Sequence, residues 1–134
     1  FGVSVAISNN RIVVGAHSED SNGDNAGAAY IFDINGNELA KIQASDAGEG
    51  DHFGYKVAIL NNRVVVGAHG ENSNGDYSGA AYIFDIDGNE LHKIMASDGE
   101  GNDRFGYSVA ISDSRIVVGA YGESSNTGAA YIYG

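Results

Sequence analysis

Phe1-Gly2-Val3-Ser4-Val5-Ala6-Ile7 opens the chain, and its first pair returns as Phe53-Gly54 and Phe105-Gly106. The period is 52 residues. A fixed period of this length marks an architecture of repeated units. In the quoted stretch the large residues Phe1, Val3, Val5 and Ile7 alternate with small ones, and this period of two predicts a strand. Asn9-Asn10 predicts a tight turn. Arg11 to Ala16 is apolar on consecutive positions, so it reads as a second strand buried on both faces. A polar loop from His17 to Ala26 leads to a third strand, Ala28 to Phe32. Asn35-Gly36, and its counterpart Asp87-Gly88, are two-residue hairpin signals, because that turn needs φ > 0. Glu38 to Ile42 is more polar and suits an outer edge. No segment carries apolar residues at helical spacing.

Each unit is therefore an antiparallel meander of four short strands with two apolar faces. One such sheet cannot bury both faces alone. Stacking copies around an axis solves this, and the predicted fold is an all-β propeller with blades at 1–52, 53–104 and 105–134. A parallel β-solenoid is the rival, but its coils lack hairpin turns at this regularity. The third unit has a shorter loop after its second strand and lacks the outer strand, giving four, four and three strands. Propellers typically close with 4 to 8 blades. Three blades leave two faces uncovered, and exposing one forfeits on the order of 10 kcal/mol of apolar burial. The expected partners are further blades of a longer chain or other copies of this one. Association would close into a ring or continue as a filament.

Seven basic residues against eighteen acidic ones give a formal net charge of −11. That balance argues against nucleic acid and against anionic membrane surfaces. There is no cysteine, hence no disulfide framework and no thiolate chemistry. No apolar run is long enough to insert in a bilayer as a helix. With no signal-like segment and Phe rather than Met at position 1, the chain reads as a mature or excised segment. The 20 glycines lack the spacing of a phosphate-binding or dinucleotide loop. No Gly-x-Ser-x-Gly elbow is present. Repeated structural residue types are not an asymmetric pair of nucleophile and base, so the chain reads as non-enzymatic.

Phe-Gly opening a strand, then Val13-Val14-Gly15-Ala16, then Gly27-Ala28-Ala29-Tyr30-Ile31-Phe32, resembles the FG-GAP repeats that form the propeller of integrin α-chains and of bacterial surface proteins. The resemblance covers essentially the whole chain. It implies an extracellular or cell-surface module for adhesion or protein interaction. Two departures stand out. The proline that the family carries after Gly-Ala is replaced by His17, His69 and Tyr121. The family's calcium loop between the first two strands is reduced to Ser8-Asn9-Asn10, Leu60-Asn61-Asn62 and Ser112-Asp113-Ser114, so that site is carried over to no position. Other function classes are a structural subunit of a ring or filament, a carbohydrate-binding propeller, and a non-catalytic propeller attached to an enzyme.

The loop after the second strand is the best candidate site. Glu19, Asp20, Asn22 and Asp24 in the first unit, and Glu71, Asn74 and Asp76 in the second, alternate oxygen side chains around Gly23 and Gly75. A hard cation such as calcium takes such ligands. The same residues suit a solvated turn in which they hydrogen-bond their own backbone. A second acidic set lies between units: Asp46, Glu49 and Asp51, then Asp98, Glu100 and Asp103. Its expected role is to accept backbone N–H bonds at the crossover. His17, His69 and Tyr121 at equivalent positions suit half-buried packing better than a metal. His52 and His92 read as surface. Tyr30, Tyr82 and Tyr131 read as core or interface aromatics, while Tyr77 and Tyr121 are the side chains available to stack on a sugar.

Overall fold

The computed structural model describes residues 1–134, and its regular structure is almost entirely β. The first sheet holds β1 (Ser4–Ser8), β2 (Arg11–Ala16), β3 (Ala28–Asp33) and β4 (Glu38–Ile42) in that order. The second holds β5 (Lys56–Leu60), β6 (Arg63–Ala68), β7 (Ala80–Asp85) and β8 (Glu90–Ile94). The third holds β9 (Phe105–Ile111), β10 (Ile116–Ala120) and β11 (Ala129–Tyr133). Every pairing is antiparallel, so each unit is a meander. The inner strands β1, β5 and β9 sit against one another in sequence order. These are three successive blades, as the sequence pattern requires.

Register assigns each blade two different faces. In the second blade Val57, Val66 and Tyr82 lie across from one another, as do Ile59, Val64 and Phe84. With Phe53 they form the leading face, which packs on the first blade. The other parity gives the trailing face: Val65, Ala81, Ile83 and Ile94, packed on the third blade. Leading faces are large and aromatic, and trailing faces are smaller and aliphatic. The core is thus two interblade layers. Phe53 and Phe105 are wholly buried in them.

Two expected details change. Phe-Gly opens the inner strand only at β9. Phe53 lies ahead of β5, and both Phe53 and Phe105 make parallel bridges to Gly27 and Gly79 of the preceding blade. The hairpins at Asn35-Gly36 and Asp87-Gly88 are not two-residue turns. Only Gly36 and Gly88 have positive φ, 85° and 90°. Asp33 and Asp85 cap these loops by accepting N–H bonds from Asn35 and Asn37, and from Asp87 and Asn89. The capping carboxylate lengthens the loop and a bulge follows in the next pairing. The shorter third loop closes through Glu123–Asn126, where Ser124, Ser125 and Asn126 all have positive φ.

Blades touch backbone to backbone. A Cβ added at Gly15 would stand 1.9 Å from the Gly54 carbonyl oxygen, and one at Gly67 equally close to that of Gly106. Gly67→Ala is expected to cost about 3 kcal/mol or more, because neither backbone can yield without parting two blades. Gly48→Ala, whose added carbon has nothing nearer than 3.5 Å, is expected to stay within about 0.5 kcal/mol of the parent. Denaturant unfolding of the two variants checks this contrast.

Candidate functional site

The loops singled out by their acidity are joints between blades. Glu19 and Ser21 sit at the loop entrance, where the Ser21 hydroxyl donates to the Glu19 carboxylate. Lys41, projecting from β4, reaches Glu19 at 3.0 Å, and Gln43 donates to its other oxygen at 3.1 Å. The Ser21 hydroxyl and Lys41 hold the Glu19 carboxyl below its ordinary range, against a small opposing effect of burial. The second loop repeats the arrangement with Glu71, Ser73 and Lys93. There Lys93 also reaches Asp46 of the preceding interblade loop at 2.5 Å, and the Tyr82 hydroxyl donates to the same carboxylate at 2.8 Å. Tyr131 donates in the same way to Asp98 at 2.7 Å.

The remaining loop residues serve the turn. Asp20 accepts the Asn25 N–H at 2.7 Å, and Asn72 accepts that of Tyr77 at 2.8 Å. The carbonyls of Asp24, Asn25 and Ala26 receive N–H bonds from Gly50, His52 and Phe53, which lead into the next blade. Those of Asp76, Tyr77 and Ser78 likewise receive Asn102, Arg104 and Phe105. Asn74 donates to the Ala96 carbonyl at 3.4 Å, while Asn22, Asp24 and Asp76 are exposed. The two glutamates expected to ligate calcium are thus engaged with lysine and serine. No group of three or more His, Asp or Glu side chains is arranged to hold a metal ion.

Of the six interblade acids, two act as the expected crossover caps, while Asp46 and Asp98 accept from side chains instead. Asp51 and Asp103 are buried and accept the N–H of Gly48 and Glu100, each at 2.7 Å. Burial pushes the Asp51 carboxyl up to about 6, with the charges of Glu71 and Asp46 adding to it.

A second cluster was only partly legible. His17, His52 and His69 pack in series with ring centroids 5.6 and 5.2 Å apart. Tyr55 lies 4.4 Å from His69, and Tyr107 continues the row to Tyr121 at 4.5 Å. His52, expected at the surface, is half-buried and stacked on His69, because φ = 55° turns its side chain inward along the crossover. The sequence signal was its equivalence to Arg104, which is also at positive φ. Arg104 covers the rings of Tyr77 and Tyr121 at 4.9 and 5.9 Å. His92 is exposed, as expected. The Nδ1 atoms of His17, His52 and His69 are buried without a hydrogen-bond partner. Burial pushes His69 down to about 4, and the neighbouring charges of His52, Arg104 and His17 act in the same direction.

The two lysine joints differ in burial, and this separates their contributions. Lys93 and Glu71 are 19% and 7% exposed, against 34% and 21% for Lys41 and Glu19. Lys93→Met strands the buried Glu71 and is expected to cost about 3 kcal/mol in denaturant unfolding. Lys41→Met, in the solvated counterpart, is expected to cost far less.

A depressed histidine pKa means that the unfolded chain takes up the proton first. His69 therefore contributes stability above its unfolded value of 6.5 that is lost as pH falls toward 4. Asp51 acts oppositely, its contribution fading as pH rises through about 6. His69→Tyr, which installs the residue found at the equivalent Tyr121, isolates the first effect. Relative to the parent, the variant is expected to gain about 3 kcal/mol on going from pH 6.5 to 4, read from unfolding curves at several pH values.

No curated protein matches the chain. A family model described as the FG-GAP repeat matches residues 1–32, 37–84 and 89–133. These three segments span the three sheets, including the Phe-Gly pairs and the glycines on which they sit. The chain is a member of the FG-GAP repeat family.

Proposed function

We propose that the chain is a non-catalytic module for protein interaction or adhesion, working outside the cell or at its surface, and completed at its open faces by further blades. One observation carries this reading. Phe1, Val5 and Ile7 on the leading face of the first blade are 77%, 66% and 67% exposed. Their counterparts in the second blade, Phe53, Val57 and Ile59, are 0%, 7% and 7% exposed. The same side chains in the same register are thus core in one blade and surface in another. Covering the three would stabilise by roughly 1.5–3 kcal/mol each. A contiguous apolar face of this kind marks a contact surface. The reading as an extracellular module is supported by membership of a repeat family whose blades build the propeller of integrin α-chains. The absence of an asymmetric catalytic constellation in the repeats supports the non-catalytic reading.

Light scattering over a wide concentration range, with and without a calcium chelator, tests this. The expected particle is larger than one chain, and the mass is the same in both buffers. A particle of one chain at every concentration would remove the support of the open face. A mass that falls on chelation would assign a calcium ion to the assembly.

A further inference from the structure

His17, His52 and His69 form a row through the joint between the first two blades. His17 follows β2, His52 lies on the crossover that carries the chain into the second blade, and His69 follows β6. We propose that this row is an acid-sensitive clasp: on acidification the first crossover parts from the blades it joins, while the second crossover stays closed.

The joint is built for neutral imidazoles. His52 stacks on His69 with the rings 10° from parallel, and Tyr55 and Tyr107 stand edge-on to His69. The Nδ1 atom of every ring in the row is buried and bare. A neutral imidazole leaves one nitrogen without a proton, whereas an imidazolium donates from both. Each protonation therefore adds a buried N–H with no acceptor and a charge with no counter-charge. The surroundings do not relieve this cost. None of the ion pairs in the chain involves a histidine, despite eighteen acidic residues. The charged groups that face the row are positive: Arg104 of the second crossover acts on His69, and the amino group of Phe1 acts on His17. Tyr55 and Tyr107 offer only phenols, whose hydroxyls bond to each other at 3.0 Å. The neighbouring Asp51 turns its carboxylate to the Gly48 N–H instead.

The second crossover is an internal control. Its backbone has the same turn, with Arg104 at φ = 56° and His52 at 55°. Each crossover carries a buried aspartate, Asp51 in one and Asp103 in the other. In the first, the N–H groups of Gly50, His52 and Phe53 bond to carbonyls of the preceding loop, and that of Gly70 bonds to the Asp51 carbonyl. In the second, those of Asn102, Arg104, Phe105 and Gly122 repeat the pattern. The side chains differ. Where the first crossover sets His52 between His17 and His69, the second sets Arg104 over the rings of Tyr77 and Tyr121. Arg104 is charged throughout the accessible pH range, and the ring faces hold that charge. Acid therefore changes the first crossover and leaves the second as it was. As the first parts, His52 leaves the face of His69, and the four N–H groups that fasten the segment lose their acceptors together.

Amide hydrogen exchange at pH 7 and pH 5, resolved by residue and corrected for the intrinsic effect of pH, tests the clasp. A ring held below its free value takes its proton first in the opened state, so the closed joint loses ground as pH falls from 6.5 toward 4. Protection of Gly50, His52, Phe53 and Gly70 is expected to fall about 20-fold between the two conditions. Protection of Asn102, Arg104, Phe105 and Gly122 is expected to stay level. His69→Tyr removes the most buried ring of the row and is expected to keep the first crossover protected at pH 5. Equal loss at both crossovers overturns the clasp, as does loss at neither, or the same loss in His69→Tyr as in the parent. Should circular dichroism show that the variant is unfolded, side-chain NMR of the parent decides. His69 must then take up its proton in step with the loss of protection, and loss of protection with His69 still neutral overturns the clasp.

Discussion

The closest constraint in the molecule is the contact of one blade's backbone on the next. Gly15 faces the Gly54 carbonyl, Gly27 faces that of Phe53, and Gly54 in turn faces that of Ala28. With side chains excluded at these positions, the sheets approach closely at the crossover end. The rest of the interface depends on this spacing. It lets Phe53 lie against Tyr82 and Phe84 with no exposure. It brings the interblade loop within hydrogen-bond reach of the preceding blade's carbonyls. It also brings the Tyr82 hydroxyl onto Asp46. Loss of any one of these bonds would cost about 1 kcal/mol, whereas a wedge between the backbones acts on all of them together.

This hierarchy explains what the sequence could and could not disclose. Strand positions follow from alternation, because the period of two records which side of a sheet is wet. The two-sided burial of β2 and β6 was legible for the same reason. The place of Phe53 was not. Its bridge to Gly27 is a backbone contact to another blade, and no local pattern distinguishes it from the first residue of a strand. The hairpins misled for a different reason. Asn-Gly satisfies several turn types, and the choice was made by Asp33, which sits inside the strand and caps the loop from there. The acidic loop was legible as a repeated, oxygen-rich feature. Its partners Lys41 and Lys93 lie about 20 residues downstream, and only the pairing of β3 with β4, and of β7 with β8, brings them back over the glutamates.

The acidic composition acquires a local meaning from these contacts. Lys41 pairs with Glu19 alone, whereas Lys93 pairs with both Glu71 and Asp46. The difference comes from position along the stack. Lys93 has a preceding blade whose loop supplies Asp46, and that loop also covers Glu71. A surface pair thereby becomes a shielded triad without any change in the motif that encodes it. The imidazole row shows the same effect: His69 is buried by its neighbours, while the equivalent Tyr121 is 48% exposed.

Repeat arrays gain stability mainly from nearest-neighbour interfaces, so each added blade contributes a similar increment. In this chain the increment is directional. A leading face presents aromatic rings with β-branched side chains, and a trailing face presents Ala, Val and Ile with a serine hydroxyl and no ring. Two leading faces would set Phe1 and Tyr30 against rings of equal size, with no glycine to admit a backbone carbonyl. Two trailing faces would bring together glycines with no Phe-Gly carbonyl to fill the space beside them. Shape alone therefore selects one order of stacking. The order of the blades within the chain is set by the short-range fit of Phe-Gly on glycine.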